Sequence, residues 1–340
     1  MAEPPARPTL ATVARIAGVS VASVSRVLNG MPASSEMESR VRNAADSVGY
    51  VPDAFARSLR AGRTDQLALA VADVGNPVYV AMMRAIETHL RSTGYRLVLH
   101  STGSGLDDEL DVLASVRNGY VDGLILQSLR ITDELIDELR QLTLPVVVIG
   151  TLPDNVPIDN VRTDSKAGMR LAVEHLVAAG RRRIALLNGP ADTGPGAARA
   201  QGFAEGMAEA GLDDATTATC DDFTHTAGYQ AAGRLLAGNR SLDALACSND
   251  LIAMGALRAL AEAGLRTPED VAVIGMDDTD LAPMCNPPLS SVSLGAAERA
   301  TTAVRLLLER IALPKLAPRR VTVHPQLVVR ASTAGQEGDS

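Results

Sequence analysis

An alternation of two kinds of segment, starting near Leu67, constrains this chain more than any other feature. Short apolar runs ("LALAVADV", "YRLVLHST", "VDGLILQS", "LPVVVIG", "RIALLNG", "DALACSND", "VAVIGMDD") are separated by stretches with helical periodicity, such as "YVAMMRAIETHLRSTG" and "AGMRLAVEHLVAAG". A run that is apolar at nearly every position has to be covered on both faces. Such strands alternating with helices predict βαβ units built on parallel sheets. In open sheets of this kind ligands bind beyond the carboxyl ends of the strands. The residues that fall there are "VGNPVY" (74–79), Asp164, "NGPADTGPGAAR" (188–199), Phe223, "SND" (248–250) and "MDD" (276–278).

That set does not spell a catalytic motif. No GxGxxG or GxxxxGK[ST] follows a first strand, and no GxSxG elbow occurs. The carboxylate pairs, Asp107–Asp108, Asp213–Asp214, Asp221–Asp222 and Asp277–Asp278, are read as solvated or helix-capping groups. Cys220, Cys247 and Cys285 are distant and odd in number, which argues against a disulfide framework. The five histidines have no metal spacing, and His175 in "AVEHL" is read as a packing residue or a cap. No catalytic residue, metal or cofactor is therefore expected. Asp, Asn and Arg side chains at strand ends suit a polyol held by hydrogen bonds without turnover.

The 340 residues allow two or three domains. No apolar run approaches the ~18 residues needed to span a bilayer. "MAEPPARPTL" has no apolar core of a secretory signal, so a cytoplasmic protein with no membrane partner is expected. The net charge of −8 is unevenly spread. Residues 1–64 carry eight arginines against five acids, so the excess of acid lies entirely in the remainder. A weakly basic head on an acidic body suggests that only the head meets a polyanion.

The head reads as helices. Leu10, Val13, Ala14 and Ala17 form one apolar stripe, Gly18 supplies a turn, and Ser20 is an N-cap for the next helix. There Val24, Val27 and Leu28 face inward, leaving Val21, Ala22, Ser25, Arg26 and Asn29 on the outer face. Val41, Ala44, Ala45 and Val48 mark a third helix, ending at Gly49. Two short helices joined by a glycine turn describe a helix-turn-helix. Arg26 is the long donor suited to a guanine or a phosphate, and Ser23, Ser25 and Asn29 suit phosphate oxygens.

The run "TLATVARIAGVSVASVSRVLNG", continued by "GYVPDAFARSLRAGRT" and by most of the rest of the chain, resembles the lactose-repressor (LacI/GalR) family of bacterial transcription regulators. The resemblance implies an N-terminal all-α helix-turn-helix head with a hinge helix. An α/β two-subdomain effector domain like the periplasmic binding proteins would follow. It implies the division 9–50 for the head and 51–64 for the hinge, with 65–163 plus 293–319 as one subdomain and 164–292 plus 320–334 as the other. By the same resemblance Ser20, Val21, Ala22, Ser23, Ser25, Arg26 and Asn29 meet a near-palindromic double-stranded DNA operator. Arg57 and Leu59 in the hinge would supply a phosphate contact and a minor-groove wedge. Met37 and Glu38 stand where the family commonly carries a phosphate-holding Thr-Arg pair, so Arg40 and Arg42 are expected to compensate.

For the body, the resemblance implies an effector site at Asp164, Arg199, Asn249 and Asp277, with Tyr79 and Phe223 as aromatic walls. Asp250 is read as a helix cap. Thr193 and Pro195 stand where purine-binding relatives use other residues, which leaves a sugar as the favoured effector. A purine- or nucleoside-responsive regulator, or one answering to a partner protein, is the alternative. Residues 81–90 and 284–294 match dimer-facing regions, where Met82 and Met83 would fit an interface if exposed and are explained equally well by core packing, and no leucine-heptad tail is read. The expectation is thus a homodimeric repressor of carbohydrate-metabolism genes, released by a sugar.

Overall fold

The computed structural model describes residues 8–51, 63–103, 105–212, 216–238 and 241–334, in two units that meet at Thr64–Asp65. In the first unit, helices α1 (Leu10–Ala17), α2 (Val21–Leu28) and α3 (Ser35–Ser47) enclose a small core of Val13, Ala14, Ala17, Val24, Val27, Val41, Ala44 and Ala45. Each helix starts on a hydroxyl cap: Thr9, Ser20 and Ser34 accept from the third backbone N–H of α1, α2 and α3. Gly18 ends α1 in the left-handed region at φ 61°, and the chain direction turns by 103° into α2. Because these helices are short, their stability has to come from the shared core and caps. No single helix among the described residues is long and apolar enough to cross a membrane.

The second unit contains two six-stranded sheets. The first has spatial order β11-β5-β4-β3-β1-β2, all parallel, from β1 (Gln66–Val71), β2 (Arg96–Ser101), β3 (Gly123–Gln127), β4 (Val146–Ile149), β5 (Asp159–Thr163) and β11 (Arg320–Val323). The second has order β12-β10-β9-β8-β6-β7, from β6 (Ile184–Asn188), β7 (Thr216–Thr219), β8 (Ala244–Cys247), β9 (Ala272–Met276), β10 (Ser290–Ser293) and β12 (Gln326–Val328), the last strand antiparallel. Within each lobe the first five strands run 2-1-3-4-5, the doubly wound order. Alternation along each strand covers both faces. In β1, Leu67, Leu69 and Val71 face α4 (Pro77–Leu90) and α11 (Ala296–Ala312). Ala68 and Ala70 face α5 (Leu106–Val116) and α6 (Asp133–Gln141). The second sheet is covered in the same way by α7 (Ser165–Ala178) with α8 (Gly194–Glu209) and by α9 (His225–Gly238) with α10 (Asp250–Glu262).

The chain passes between lobes three times: after Thr163, after Ser293 and after Val323. The sequence reading put the last crossing after residue 319. Instead Arg320–Val323 pairs along Asn160–Thr163 and belongs to the first lobe, so the crossing falls at His324–Pro325. Of the two readings for Met82 the structure takes the core: it is 1% exposed and fills the first lobe's core, while Met83 is only partly buried. His175 is a packing residue whose Nε2 pairs with Thr333 Oγ1 at 2.7 Å.

Helices α9 and α10 approach through glycines. A Cβ at Gly255 would lie 2.3 Å from His225 O, and one at Gly228 would lie 2.5 Å from Ile252 O. Alanine at either site gains about 1 kcal/mol of helix propensity but needs the helices to separate, which costs about 1–3 kcal/mol or more. With backbone as the obstacle, sterics should win. Gly255→Ala should lower the urea unfolding free energy by about 1–2 kcal/mol, whereas Gly233→Ala, with no atom within 4 Å, should not lower it.

Candidate functional site

In the head, α2 presents Val21 at 47% exposure beside exposed Ser20, Ala22, Arg26 and Asn29, with Ser23 and Ser25 half-buried. Ser20 Oγ caps Ser23 N at 3.1 Å and meets Ser23 Oγ at 2.9 Å, while Asn29 Nδ2 donates to Ser25 O at 2.7 Å. Among the described residues Arg26 donates to Pro32 O at a long 3.4 Å, and it stands exposed on an otherwise small-residued face. The structure changes the reading of its neighbours. Arg40 Nη2 donates to Ala17 O at 2.6 Å and braces the end of α1, where a cation also suits the helix dipole. Arg42 pairs with Glu38 at 2.7 Å. Neither arginine is an idle phosphate donor, and the charge of Glu38 is countered locally. Arg57 and Leu59 lie outside the described residues.

In the second unit a cavity of about 990 Å³ opens at the carboxyl edges of the two sheets, between the lobes. Its volume is at the upper end for small-molecule sites. Five of the six expected effector residues line it: Tyr79, Arg199, Phe223, Asn249 and Asp277. Each is placed by the end of a strand or the start of a helix. Tyr79 sits in the first turn of α4, which Asn76 caps and Pro77 opens. Thr193 caps α8, six residues before Arg199, accepting from Gly196 N at 3.0 Å and donating to Pro190 O at 2.7 Å. Phe223 lies where a Cβ on Gly189 would come within 2.2 Å of its ring, so a glycine is required opposite it.

Asn249 both caps α10, accepting from Ile252 N at 2.8 Å, and donates to Phe223 O at 3.0 Å. Asp250 is not the cap. Its carboxylate is buried and accepts from Thr279 N, Thr279 Oγ1 and Ser291 Oγ at 2.6–2.9 Å, and burial raises its pKa to about 7. Asp164 corrects another expectation. Its Oδ1 accepts from Ala167 N at 2.8 Å, the residue is exposed, and it does not line the cavity, although Thr163 and Ser165 on either side do. The N-terminus of α7 has claimed that carboxylate.

Charge is concentrated at the buried end. Arg199 Nη2 lies 3.7 Å from Asp277 Oδ1, too far for a strong hydrogen bond, and its guanidinium stands 5.8 Å over the Phe223 ring. Asp277 and Asp278 have φ values of 106° and 51°, left-handed backbone that costs non-glycine residues energy and is held by the surroundings. Burial raises the Asp277 pKa, while Arg199 and Arg299 hold it down. Burial likewise raises the Tyr79 phenol.

Arg299, in the first turns of α11, lines the same cavity at 6% exposure. Sequence reasoning missed it. The available signal was an arginine on the apolar stripe formed by Ala300, Ala303, Val304 and Leu307. Across the cavity mouth the lobes are tied by Arg130 Nε to Asp192 Oδ2 at 2.8 Å and by Gly194 N to Leu129 O at 2.8 Å.

A head of three helices and two doubly wound lobes around a polar cleft define a helix-turn-helix unit joined to a two-lobed domain of the binding-protein type. Residues 9–53 match the family described as bacterial regulatory proteins, lacI family, and residues 173–333 match the periplasmic binding protein-like domain. The HTH-type transcriptional regulator CelR of Thermobifida fusca is 36% identical over 339 residues, covering 96% of this chain and 98% of that protein. Among solved structures, the transcriptional regulator CelR–cellobiose complex is 33% identical with a TM-score of 0.71, covering 96% of this chain and all of the other. The Lac repressor dimer bound to operator and the anti-inducer ONPF is 26% identical with a TM-score of 0.85, covering 96% and 99%. The chain belongs to the lacI family of bacterial regulatory proteins.

Asp277→Asn removes the carboxylate facing two buried guanidiniums while keeping a residue that tolerates positive φ. It should cost about 3–5 kcal/mol of unfolding free energy in urea titration. In an Arg299→Leu background, with one guanidinium left, the loss should be smaller. Equal losses in both backgrounds would show that the three charges do not act together.

Proposed function

We propose that this protein is a homodimeric, sequence-specific transcriptional repressor that releases a near-palindromic operator when a sugar-type effector occupies the cleft. The carrying observation is the joining, in one chain, of a small-residued helix that exposes Arg26 and a two-lobed cleft lined by hydrogen-bonding side chains. Val21 and Ala22 permit close approach to a major groove, and Arg26 is the one long donor to read a base edge. Two copies related by a twofold axis present two such helices, which is why the site should be near-palindromic. The Lac repressor dimer, solved on its operator, supports this assembly, and the cellobiose complex of CelR supports a carbohydrate in the cleft.

Side-chain amide, carboxylate and guanidinium groups facing Tyr79 and Phe223 fit a polyol that is bound and let go unchanged. The Thr193 hydroxyl is spent on Gly196 N and Pro190 O, which leaves it a poor partner for a purine edge. The effector acts by favouring one lobe arrangement over another, and any coupling to DNA equals its difference in affinity for the two.

Selection of duplex DNA from a random library by the full-length protein should return a near-palindromic site. Arg26→Ala should weaken binding to that site by about 1–3 kcal/mol, measured by fluorescence anisotropy, and leave non-specific DNA affinity in place. Enrichment of no sequence, or equal losses on both kinds of DNA, would contradict the readout assigned to α2.

A further inference from the structure

The charges buried in the cleft do not balance. Two guanidiniums, Arg199 and Arg299, and one carboxylate, Asp277, are each nine-tenths or more buried around the same cavity. The other carboxylates lining it are exposed and engaged elsewhere. Asp192 pairs with Arg130, Asp73 accepts from Gly75 N at 2.8 Å, and Asp222 accepts from Phe223 N at 2.7 Å. Asp250 is buried and its charge is felt at Arg199, but it does not line the cavity and its oxygens are taken by Thr279 and Ser291, so it offers Arg199 and Arg299 no hydrogen bond.

Arg199 reaches Asp277 only at 3.7 Å, and its Nε has no hydrogen-bond partner. The Arg299 side chain has no hydrogen bond or ion pair among the described residues, and its buried Nε is likewise unsatisfied. Burial of an unpaired guanidinium is among the costliest arrangements in a protein. Unfilled lone donors around a cleft at the edge of two sheets mark the place where a ligand completes the charge and the hydrogen bonds.

We propose that the cleft takes an anionic sugar derivative, whose carboxylate or phosphate group is received between Arg199 and Arg299. This rests on the reading of the cleft as the effector site and narrows it. A guanidinium offers a planar fork of donors that matches both kinds of oxyanion, so two arginines beside a single carboxylate select for a bound negative charge. Asp277 and Asn249, on the same lobe as Arg199, remain for ring hydroxyls, and Phe223 offers an apolar face to the ring.

The test uses the full-length protein and matched sets of sugars at constant ionic strength: glucose, glucuronate and glucose 6-phosphate; ribose, ribonate and ribose 5-phosphate; cellobiose and cellobionate. Thermal shift ranks them and calorimetry measures the affinities. At least one acid should bind about tenfold or more tighter than its neutral partner. Whether the acid or the phosphate leads in that set identifies the source of the charge. Arg299→Leu should erase the preference, and circular dichroism should show the variant folded, so that the loss is read on a native cleft. Arg299→Lys, which keeps the charge and loses the fork, should retain part of it.

Neutral sugars binding as well as or better than their acids would overturn the inference and leave the cleft reading standing. An Arg299→Leu protein that still prefers the acid would overturn it as well. If no member of any set binds, the effector reading falls and this inference falls with it.

Discussion

Burial of both faces of each parallel sheet is the constraint on which the rest of this structure depends. Leu67, Leu69 and Val71 are committed to one helical layer and Ala68 and Ala70 to the other, so the sheet faces have no room for chemistry. Polar function is pushed to the strand ends, where loops turn into helices and the backbone still has unpaired donors. Two lobes wound in the same order and joined by three crossings set their carboxyl edges around one cavity, and the side chains at those edges meet there. The strained backbone at Asp277 and the under-neutralised pair Arg199 and Arg299 lie at that place.

The same arrangement gives the two lobes a way to move. Each lobe has its own cores on both faces of its sheet, with Leu129 packed against a core of each, so a shift of the lobes as bodies is felt at that side chain more than inside the sheets. The hydrogen-bonded ties across the mouth are exposed to water. Arg130 is partly exposed and Asp192 largely so, which keeps their pairing weak in water. A bound ligand that neutralises buried charge contributes far more than such a pair. Occupancy of the cleft, rather than the lip contacts, is therefore suited to decide which arrangement prevails.

Much of this architecture was legible in the sequence, and for physical reasons. Strands buried on both faces read as unbroken apolar runs, so β1, β3, β4, β6, β8 and β9 were visible. Strands Thr216–Thr219, Ser290–Ser293 and Arg320–Val323 were not, because hydroxyl and charged residues interrupt their apolar pattern. The placement of the last crossing went astray with them. In the head, Gly18, Ser20 and the apolar stripes carry strong local rules, and the helices follow them. At the cleft, local rules and site rules compete. Asp164 and Asn249 both follow a strand and precede a helix. The cap took Asp164 out of the cavity, and at Asn249 the same side chain does both. Arg299 escaped notice because its contribution depends on which helix face is turned to the cleft, and that is settled only by packing across a chain crossing.

The central claim is that the cleft and the head are energetically coupled. It is tested most directly by measuring operator affinity of the full-length dimer with and without a saturating cleft-binding sugar, and the affinity of that sugar with and without operator. The account predicts that the sugar weakens operator binding about 5-fold to 150-fold, and that operator weakens sugar binding by the same factor. Operator affinity that does not change on saturation of the cleft would contradict it.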